Sequence, residues 1–201
     1  LSRKIPKADA TTHKGHWAKK ELKGNEIKGK TIGIIGFGNV GKRFAEICNA
    51  LNLKILICSK SFEMIKHDYP KYISSDLNNI IEEADIISFH CKPTSDGSPI
   101  ITSAEINKMK NNSLIINTAR GNLVSENDLF EALKSNKIKG AALDVYANEP
   151  SKDNILFGLE NIILTPHIAA STSEAQIIVA EMVASQFVDF FIKNKINNQV
   201  T

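Results

Sequence analysis

Three side chains in the second half of the chain have the chemistry to move a proton and a hydride on a small hydroxy acid. Arg120 lies in Asn117-Thr-Ala-Arg-Gly121, Glu149 in Leu143-Asp-Val-Tyr-Ala-Asn-Glu-Pro150, and His167 in Thr165-Pro-His-Ile-Ala-Ala170. Taking hydride from a carbon that bears a hydroxyl needs three protein groups. A cation must hold the neighbouring carboxylate and polarise the developing carbonyl, and arginine offers a fixed fork of donors. A base must accept the hydroxyl proton, and histidine titrates in the useful range. An acid beside that histidine fixes its tautomer and raises its pKa by opposite charge. Singly these are a surface arginine, a turn glutamate before Pro150 and a loop histidine. Together they all follow strand-like runs, and that shared placement carries the reading.

A hydride also needs an acceptor, and Thr31-Ile-Gly-Ile-Ile-Gly-Phe-Gly-Asn-Val-Gly41 provides a place for one. An apolar, β-branched run stops at Gly36. A helical pattern then begins, with Val40, Phe44, Ile47, Cys48 and Leu51 on one face. Gly36, Gly38 and Gly41 fall as G-x-G-x-x-G on this strand-to-helix turn. They allow the tight turn, the close approach of backbone to a pyrophosphate, and the packing of helix on strand. Free N–H groups and the helix dipole then face the anion. About 20 residues further on, where an acid commonly binds the ribose hydroxyls, stand Ser59 and Lys60. NAD is the expected cofactor. With no carboxylate there to repel a 2′-phosphate, weak discrimination against NADP is expected as well.

These residues require an alternation of strands and helices. Strands are predicted at 31–35, 54–58, 86–90, 114–117, 140–145 and 161–164. A short helix through Glu83 is capped by Ser74 or Ser75, and a capping box, Thr102 to Glu105, opens a helix through Lys110. Ser125 caps a helix through Ser135, and Thr172 or Ser173 caps a long final one. Lys14 to Leu22 reads as a helical turn or two around Trp17, a packing anchor at a domain or subunit contact. Residues 61–72 read as irregular, with Pro70 excluding a long helix. The pattern is α/β: a Rossmann-type doubly wound parallel sheet, which binds ligands beyond the carboxyl ends of its strands. Residues 1–28 form a lead-in helix and contact arm, 29–194 the dinucleotide-binding domain, and 195–201 the start of a return to a second domain.

Composition narrows the class. With 201 residues, 42% of them hydrophobic, the chain can build one real core. The net charge of +3 is spread as lysines mixed with acids; nucleic acid would call for a dense basic stripe. Cys48, Cys58 and Cys91 are odd in number and lack metal-type spacing, so reduced thiols in a cytoplasmic protein, and no metal, are expected. No signal peptide or membrane span is read: the longest apolar stretch, Ile177 to Ile192, is interrupted by Glu181, Gln186 and Asp189. The chain opens without methionine inside an apparent helix, as expected of a piece of a longer protein.

The stretches GFGNVG, NTARGNLVSENDLFEAL, GAALDVYANEP and TPHIAAST, in that order, resemble the cofactor domain of the D-isomer-specific 2-hydroxyacid dehydrogenases. Ser171 to Gln176 and Gln186 to Phe190 look most like the phosphoglycerate dehydrogenase branch of that family. The resemblance implies catalytic Arg120 and Glu149, with His167 as proton donor or acceptor. It implies that Asn39 and Val40 meet the pyrophosphate. Thr118, Ala119 and Asp144 would line the nicotinamide, Asp144 through its carboxamide, with Ala170 beside the ring and Cys91 near the adenosine ribose. The family ends its second strand with an aspartate, from which Ser59 and Lys60 depart. The substrate domain would lie mostly outside this chain, and dimers or tetramers would pair through the cofactor domain and its lead-in helix. The implied reaction oxidises 3-phosphoglycerate to 3-phosphohydroxypyruvate for serine biosynthesis. Alternatives are reduction of glyoxylate, hydroxypyruvate or another 2-keto acid, or a dinucleotide-sensing binding protein akin to the corepressors of this fold, which a turnover assay would separate. Membrane partners are not expected.

Overall fold

The computed structural model describes residues 1–198; the last three residues of the predicted 195–201 return segment lie outside the described residues. The chain forms two compact units, 1–166 and 167 onward. In the first, seven strands make one sheet: β1 (Thr31–Ile35), β2 (Lys54–Cys58), β3 (Ile73–Ser74), β4 (Ile86–Phe89), β5 (Leu114–Asn117), β6 (Gly140–Leu143) and β7 (Ile162–Leu164). Their order is β3-β2-β1-β4-β5-β6-β7, every pair parallel. The chain therefore winds outward from β1 in one direction to β3, then returns to β4 and winds the other way. The reversal leaves a crevice between β1 and β4, where such sheets take their ligands.

The strands are short runs rich in isoleucine because both faces are covered. Alternate side chains enter two separate cores: Ile55 and Ile57 with Ile32 and Ile34 in one, Leu56 with Ile87, Phe89 and Ile115 in the other. The helix α1 (Ile5–His13) precedes β1, and the helices between the strands are α2 (Asn39–Ala50), α3 (Lys60–Ile65), α4 (Leu77–Glu83), α5 (Ser103–Lys108) and α6 (Glu126–Lys134). The predicted capping box is present: the Thr102 amide donates to Glu105 Oε2 at 3.0 Å, and the Thr102 hydroxyl accepts from the Ala104 amide at 3.3 Å. Ser125 caps α6, accepting from the Asp128 amide.

Three local expectations are corrected, at 14–22, at 61–72 and at the cap of α4. Lys14 to Leu22 holds turns at 14–15 and 19–22 and no helix; the lead-in helix is α1, opened by Pro6 in its first turn. Trp17 is exposed within this chain. The segment read as irregular begins with α3, because Phe62 is drawn into the core. Asp76, not Ser74 or Ser75, caps α4, accepting from the Asn79 amide at 2.8 Å. The two-residue β3 was too short to read.

The second unit is built on α7 (Ser173–Lys193), capped by the Thr172 hydroxyl and ended by Asn194 in a left-handed conformation. None of its residues is buried, and Ile177, Val183, Phe187 and Phe191 stand exposed. By length and composition alone it meets the requirement of a membrane span, with Glu181, Gln186 and Asp189 as polar interruptions.

Candidate active site

At the carboxyl end of β1 the backbone itself forms the site. The Gly36 amide donates to the Cys58 carbonyl at 2.9 Å. Its φ of +99° suits glycine, and a Cβ there would lie 2.3 Å from the His90 carbonyl oxygen. A Cβ on Gly41 would lie 2.4 Å from the Gly36 oxygen, so helix and turn are in contact. A Cβ on Gly38, in contrast, would meet nothing within 4 Å. Gly38 is the N-cap of α2 and contributes no side-chain cap, and Asn39 and Val40 are exposed in the first turn. The first amides of α2 therefore face open space with no cap to satisfy them. That cradle fits a dinucleotide diphosphate.

Three predicted adenosine-side residues follow neighbouring strands. Ser59 and the exposed Lys60 come directly after β2. Cys91 follows β4, half-buried, and burial pushes its thiol up, so it stays protonated near neutral pH. Between them His90 anchors the turn. Its amide donates to the Ile35 carbonyl at 2.7 Å, and its ring packs on Phe44 and lies 3.0 Å from the Ser88 hydroxyl. Burial lowers the imidazole to about 4, so it is neutral.

Past β5 and β6, buried polar side chains shape the loops. Asn117 is fully buried at the end of β5. Its Nδ2 donates to the Arg120 carbonyl at 2.8 Å and its Oδ1 accepts from the Ala119 amide at 3.1 Å. Thr118, Ala119 and Arg120 are thus bent around one side chain. The Arg120 guanidinium donates to the Ala119 carbonyl at 2.6 Å. Gly121 then presses on the next loop: a Cβ would lie 1.9 Å from the Tyr146 carbonyl. Within that loop the Tyr146 amide donates to Glu149 Oε1 at 2.9 Å, and the Ala147 amide to Glu126 Oε1 at 2.9 Å. Glu126 also receives Asn154 at 2.9 Å. Asp144 is buried and accepts from the Thr165 hydroxyl at 2.5 Å. The Tyr146 hydroxyl donates to the Thr165 carbonyl at 2.9 Å.

The first unit thus brings Thr118, Ala119, Arg120, Asp144 and Glu149 onto adjoining loops at one edge of the sheet. His167 and Ala170 belong to the second unit; His167 comes three residues after Leu164 and has a φ of +54°. Sequence reasoning missed Asn117, Glu126 and Thr165. Asn117 carried a signal, being a polar residue that closes an apolar strand. Glu126 looked like an ordinary first-turn acid.

Residues 1–169 match the D-isomer specific 2-hydroxyacid dehydrogenase NAD binding domain. The chain is 37% identical to a D-3-phosphoglycerate dehydrogenase of Archaeoglobus fulgidus over 201 residues, which are 98% of this chain and 38% of that protein. It is 41% identical to a hydroxypyruvate reductase of Thermotoga maritima over 179 residues, 87% of this chain and 57% of that one. Among solved structures, D-2-hydroxyisocaproate dehydrogenase superposes with a TM-score of 0.89 at 27% identity, covering 100% of this chain and 64% of its own. An acyclic imino acid reductase in complex with NADPH and D-Arg superposes at 0.88 with 34% identity, covering 99% and 63%. The chain therefore spans less than two thirds of the length of each of these proteins. With the glycine cradle, the parallel sheet and this match in hand, the chain belongs to the D-isomer-specific 2-hydroxyacid dehydrogenases and is their NAD-binding domain.

Proposed function

We propose that the complete protein transfers hydride between a nicotinamide cofactor and a D-2-hydroxy acid, and that its principal pair is 3-phosphoglycerate and 3-phosphohydroxypyruvate, the oxidation that feeds serine biosynthesis. The observation that carries the reading is the contact of Gly121 with Tyr146, which makes the Arg120 and Glu149 loops neighbours on the ligand edge of the sheet. The substrate assignment draws on the D-3-phosphoglycerate dehydrogenase relatives and on the α7 sequence.

When bound, the nicotinamide supplies the hydride acceptor. The Arg120 fork holds the substrate carboxylate and stabilises the oxygen as it becomes a carbonyl. His167 takes the hydroxyl proton on a ring nitrogen as hydride leaves the same carbon. The Glu149 carboxylate, held by the Tyr146 amide, orients the imidazole and stabilises its charged form. Asp144 bonds the nicotinamide carboxamide, and Thr118, Ala119 and Ala170 line the ring. Asn39 and Val40 amides bind the diphosphate; Ser59, Lys60 and Cys91 border the adenosine ribose. The enzyme is cytoplasmic and works as a homodimer or homotetramer through this domain, which would cover apolar side chains of α7 with protein.

A second reading, reduction of hydroxypyruvate or glyoxylate, is favoured by the Ser59–Lys60 pair. The imino acid reductase of the same fold holds NADPH. The test is a panel of 2-hydroxy and 2-keto acids with both cofactors on the complete protein. The highest kcat/KM is expected for the phosphoglycerate pair. A tenfold advantage for hydroxypyruvate or glyoxylate selects the second reading. Nucleotide binding without turnover of any acid overturns both.

A further inference from the structure

We infer that the Tyr146 hydroxyl is a positioning group of the proposed site: it ties the segment leading to His167 to the loops of Arg120 and Glu149, and so governs the rate of hydride transfer without touching substrate or cofactor. The inference rests on the roles proposed above for those three residues. Tyr146 meets each of their segments through a different group. Its carbonyl backs the arginine loop: a Cβ on Gly121, the residue after Arg120, would lie 1.9 Å from it. Its amide donates to Glu149 Oε1 at 2.9 Å. Its hydroxyl donates to the Thr165 carbonyl at 2.9 Å, from the loop after β6 to the end of β7.

Thr165 stands two residues before His167 and is held at every polar group. Its amide donates to the Leu143 carbonyl at 3.0 Å, its hydroxyl donates to Asp144 Oδ1 at 2.5 Å, and its carbonyl accepts from Tyr146. Pro166 follows, with its φ fixed by the ring. A shift of the Thr165 carbonyl therefore has few torsions in which to dissipate before it reaches His167. The three bonds are not equivalent. The amide bond continues the pairing of β6 with β7. The hydroxyl bond ends on Asp144, which the proposed function sets against the cofactor. The bond from Tyr146 joins this segment to the residue that also holds Glu149 and abuts Gly121.

The phenol is a constant donor. It is half-buried, and burial first, then the charges of Asp144, Glu126 and Glu149, push its pKa up. It therefore keeps its proton throughout the neutral range. The loop that carries it is braced from elsewhere: the next residue, Ala147, donates its amide to Glu126 Oε1 at 2.9 Å, and Asn154 donates to Glu126 Oε2 at 2.9 Å. A hydroxyl on a braced loop fixes its acceptor, whereas one on a loose loop would follow it.

The test is Tyr146→Phe in the complete protein, which keeps the ring and removes only the hydroxyl. Hydride transfer is followed in a single turnover by nicotinamide absorbance, with the acid of highest kcat/KM in the panel above. The rate is expected to fall by about tenfold, a fraction of the roughly 10²-fold that a misplacement of about 1 Å costs. The dissociation constant of NADH and the KM of the acid should change by less than about twofold, since the hydroxyl contacts neither. The decisive measurement is a double-mutant cycle with His167→Ala. Because the hydroxyl acts through the histidine, Tyr146→Phe should slow the His167→Ala enzyme by less than about twofold. An unchanged single-turnover rate in Tyr146→Phe, or the same fold loss with and without His167, overturns the inference while leaving the catalytic roles in place. A His167→Ala enzyme that transfers hydride at the unaltered rate overturns the catalytic reading itself.

Discussion

The two halves of the sheet's carboxyl edge are built on opposite plans. Around the turn after β1 the ligand-facing surface is bare backbone, kept bare by glycines and held from beneath by apolar packing of Phe37, Phe44 and Phe62. Around β5, β6 and β7 it is side chains, and the loops that carry them are bent by hydrogen bonds of Asn117, Glu126 and Thr165. On the proposed function, the difference follows from the ligands. A diphosphate is the same in every dinucleotide and is recognised by amides, so a missing Cβ suffices. A hydroxy acid undergoing oxidation needs charges at fixed points, and charges on loops need braces.

The strongest test of that contrast separates binding from chemistry. His167→Ala should lower kcat by about 10²–10⁴, the range of a lost acid–base group, with nucleotide affinity little altered. Arg120→Ala should raise KM and lower kcat together, because it removes both substrate binding and transition-state stabilisation. Steady-state kinetics with a parallel NADH titration decides the matter. A His167→Ala enzyme with unchanged kcat would remove the proton-transfer assignment.

On the nucleotide side the contrast predicts that two glycines of one motif fail differently. Gly36→Ala must adopt a positive φ and push against the His90 carbonyl, so it should destabilise the fold by about 2 kcal/mol or more. Gly38→Ala meets open space, so the melting temperature should hold while dinucleotide affinity falls by about tenfold or more. Thermal unfolding and NADH binding measured on both variants test this. Equal losses of stability would show that Gly38 is structural and not a ligand contact.

On the other side, Asn117→Ala takes the side-chain acceptor from the Ala119 amide and leaves the Arg120 carbonyl with the Leu123 amide at 3.3 Å. A cost of about 1–3 kcal/mol in stability is expected. The catalytic effect should exceed the binding effect: kcat/KM for the acid should drop by about tenfold or more while NADH affinity changes little. Should Asn117→Ala weaken NADH as much as it weakens catalysis, the division of the edge into two plans is too sharp.

That division also explains what could be read from residue order alone. The glycine cradle is contiguous, so its spacing in 36–41 named its own function, and continuous apolar runs marked six of the seven strands to within two residues. The chemical side was legible only as candidate types at strand ends. What places Arg120 is Asn117, and what shapes the loop of Glu149 is Glu126 from the start of α6, 23 residues earlier in the chain. Such braces become visible only when β5 and β6 lie side by side. The cap of α4 was misassigned for a similar reason: Ser74, Ser75 and Asp76 all have capping side chains, and only the extent of β3 decides which one closes the helix. Pro70 does exclude a long helix, but the six-residue α3 was not legible, because it is the packing of Phe62 against Phe37 that settles it.

One residue crosses the division and supplies its finest test. His90 lies on the nucleotide side, yet it is a polar side chain held under the glycine turn, packed on Phe44 and close to the Ser88 hydroxyl. Burial holds its imidazole down to about 4 in the folded protein, against about 6.5 for an unperturbed histidine. Above the higher value the ring is neutral whether folded or not, and pH has no purchase on it. As pH falls through the window between the two values, the unfolded chain takes up a proton that the folded chain refuses, so stability declines. Because the ring is not wholly shielded, the loss should be on the order of 2 kcal/mol, below the full value of the shift. His90→Gln keeps a neutral hydrogen-bonding group there and removes the titration. Urea midpoints measured without nucleotide between about pH 7.5 and 4.5 should therefore fall more steeply for the unaltered protein than for His90→Gln. Parallel slopes would mean that the imidazole is hydrated, and that the nucleotide half is less dry beneath its glycines than its packing indicates.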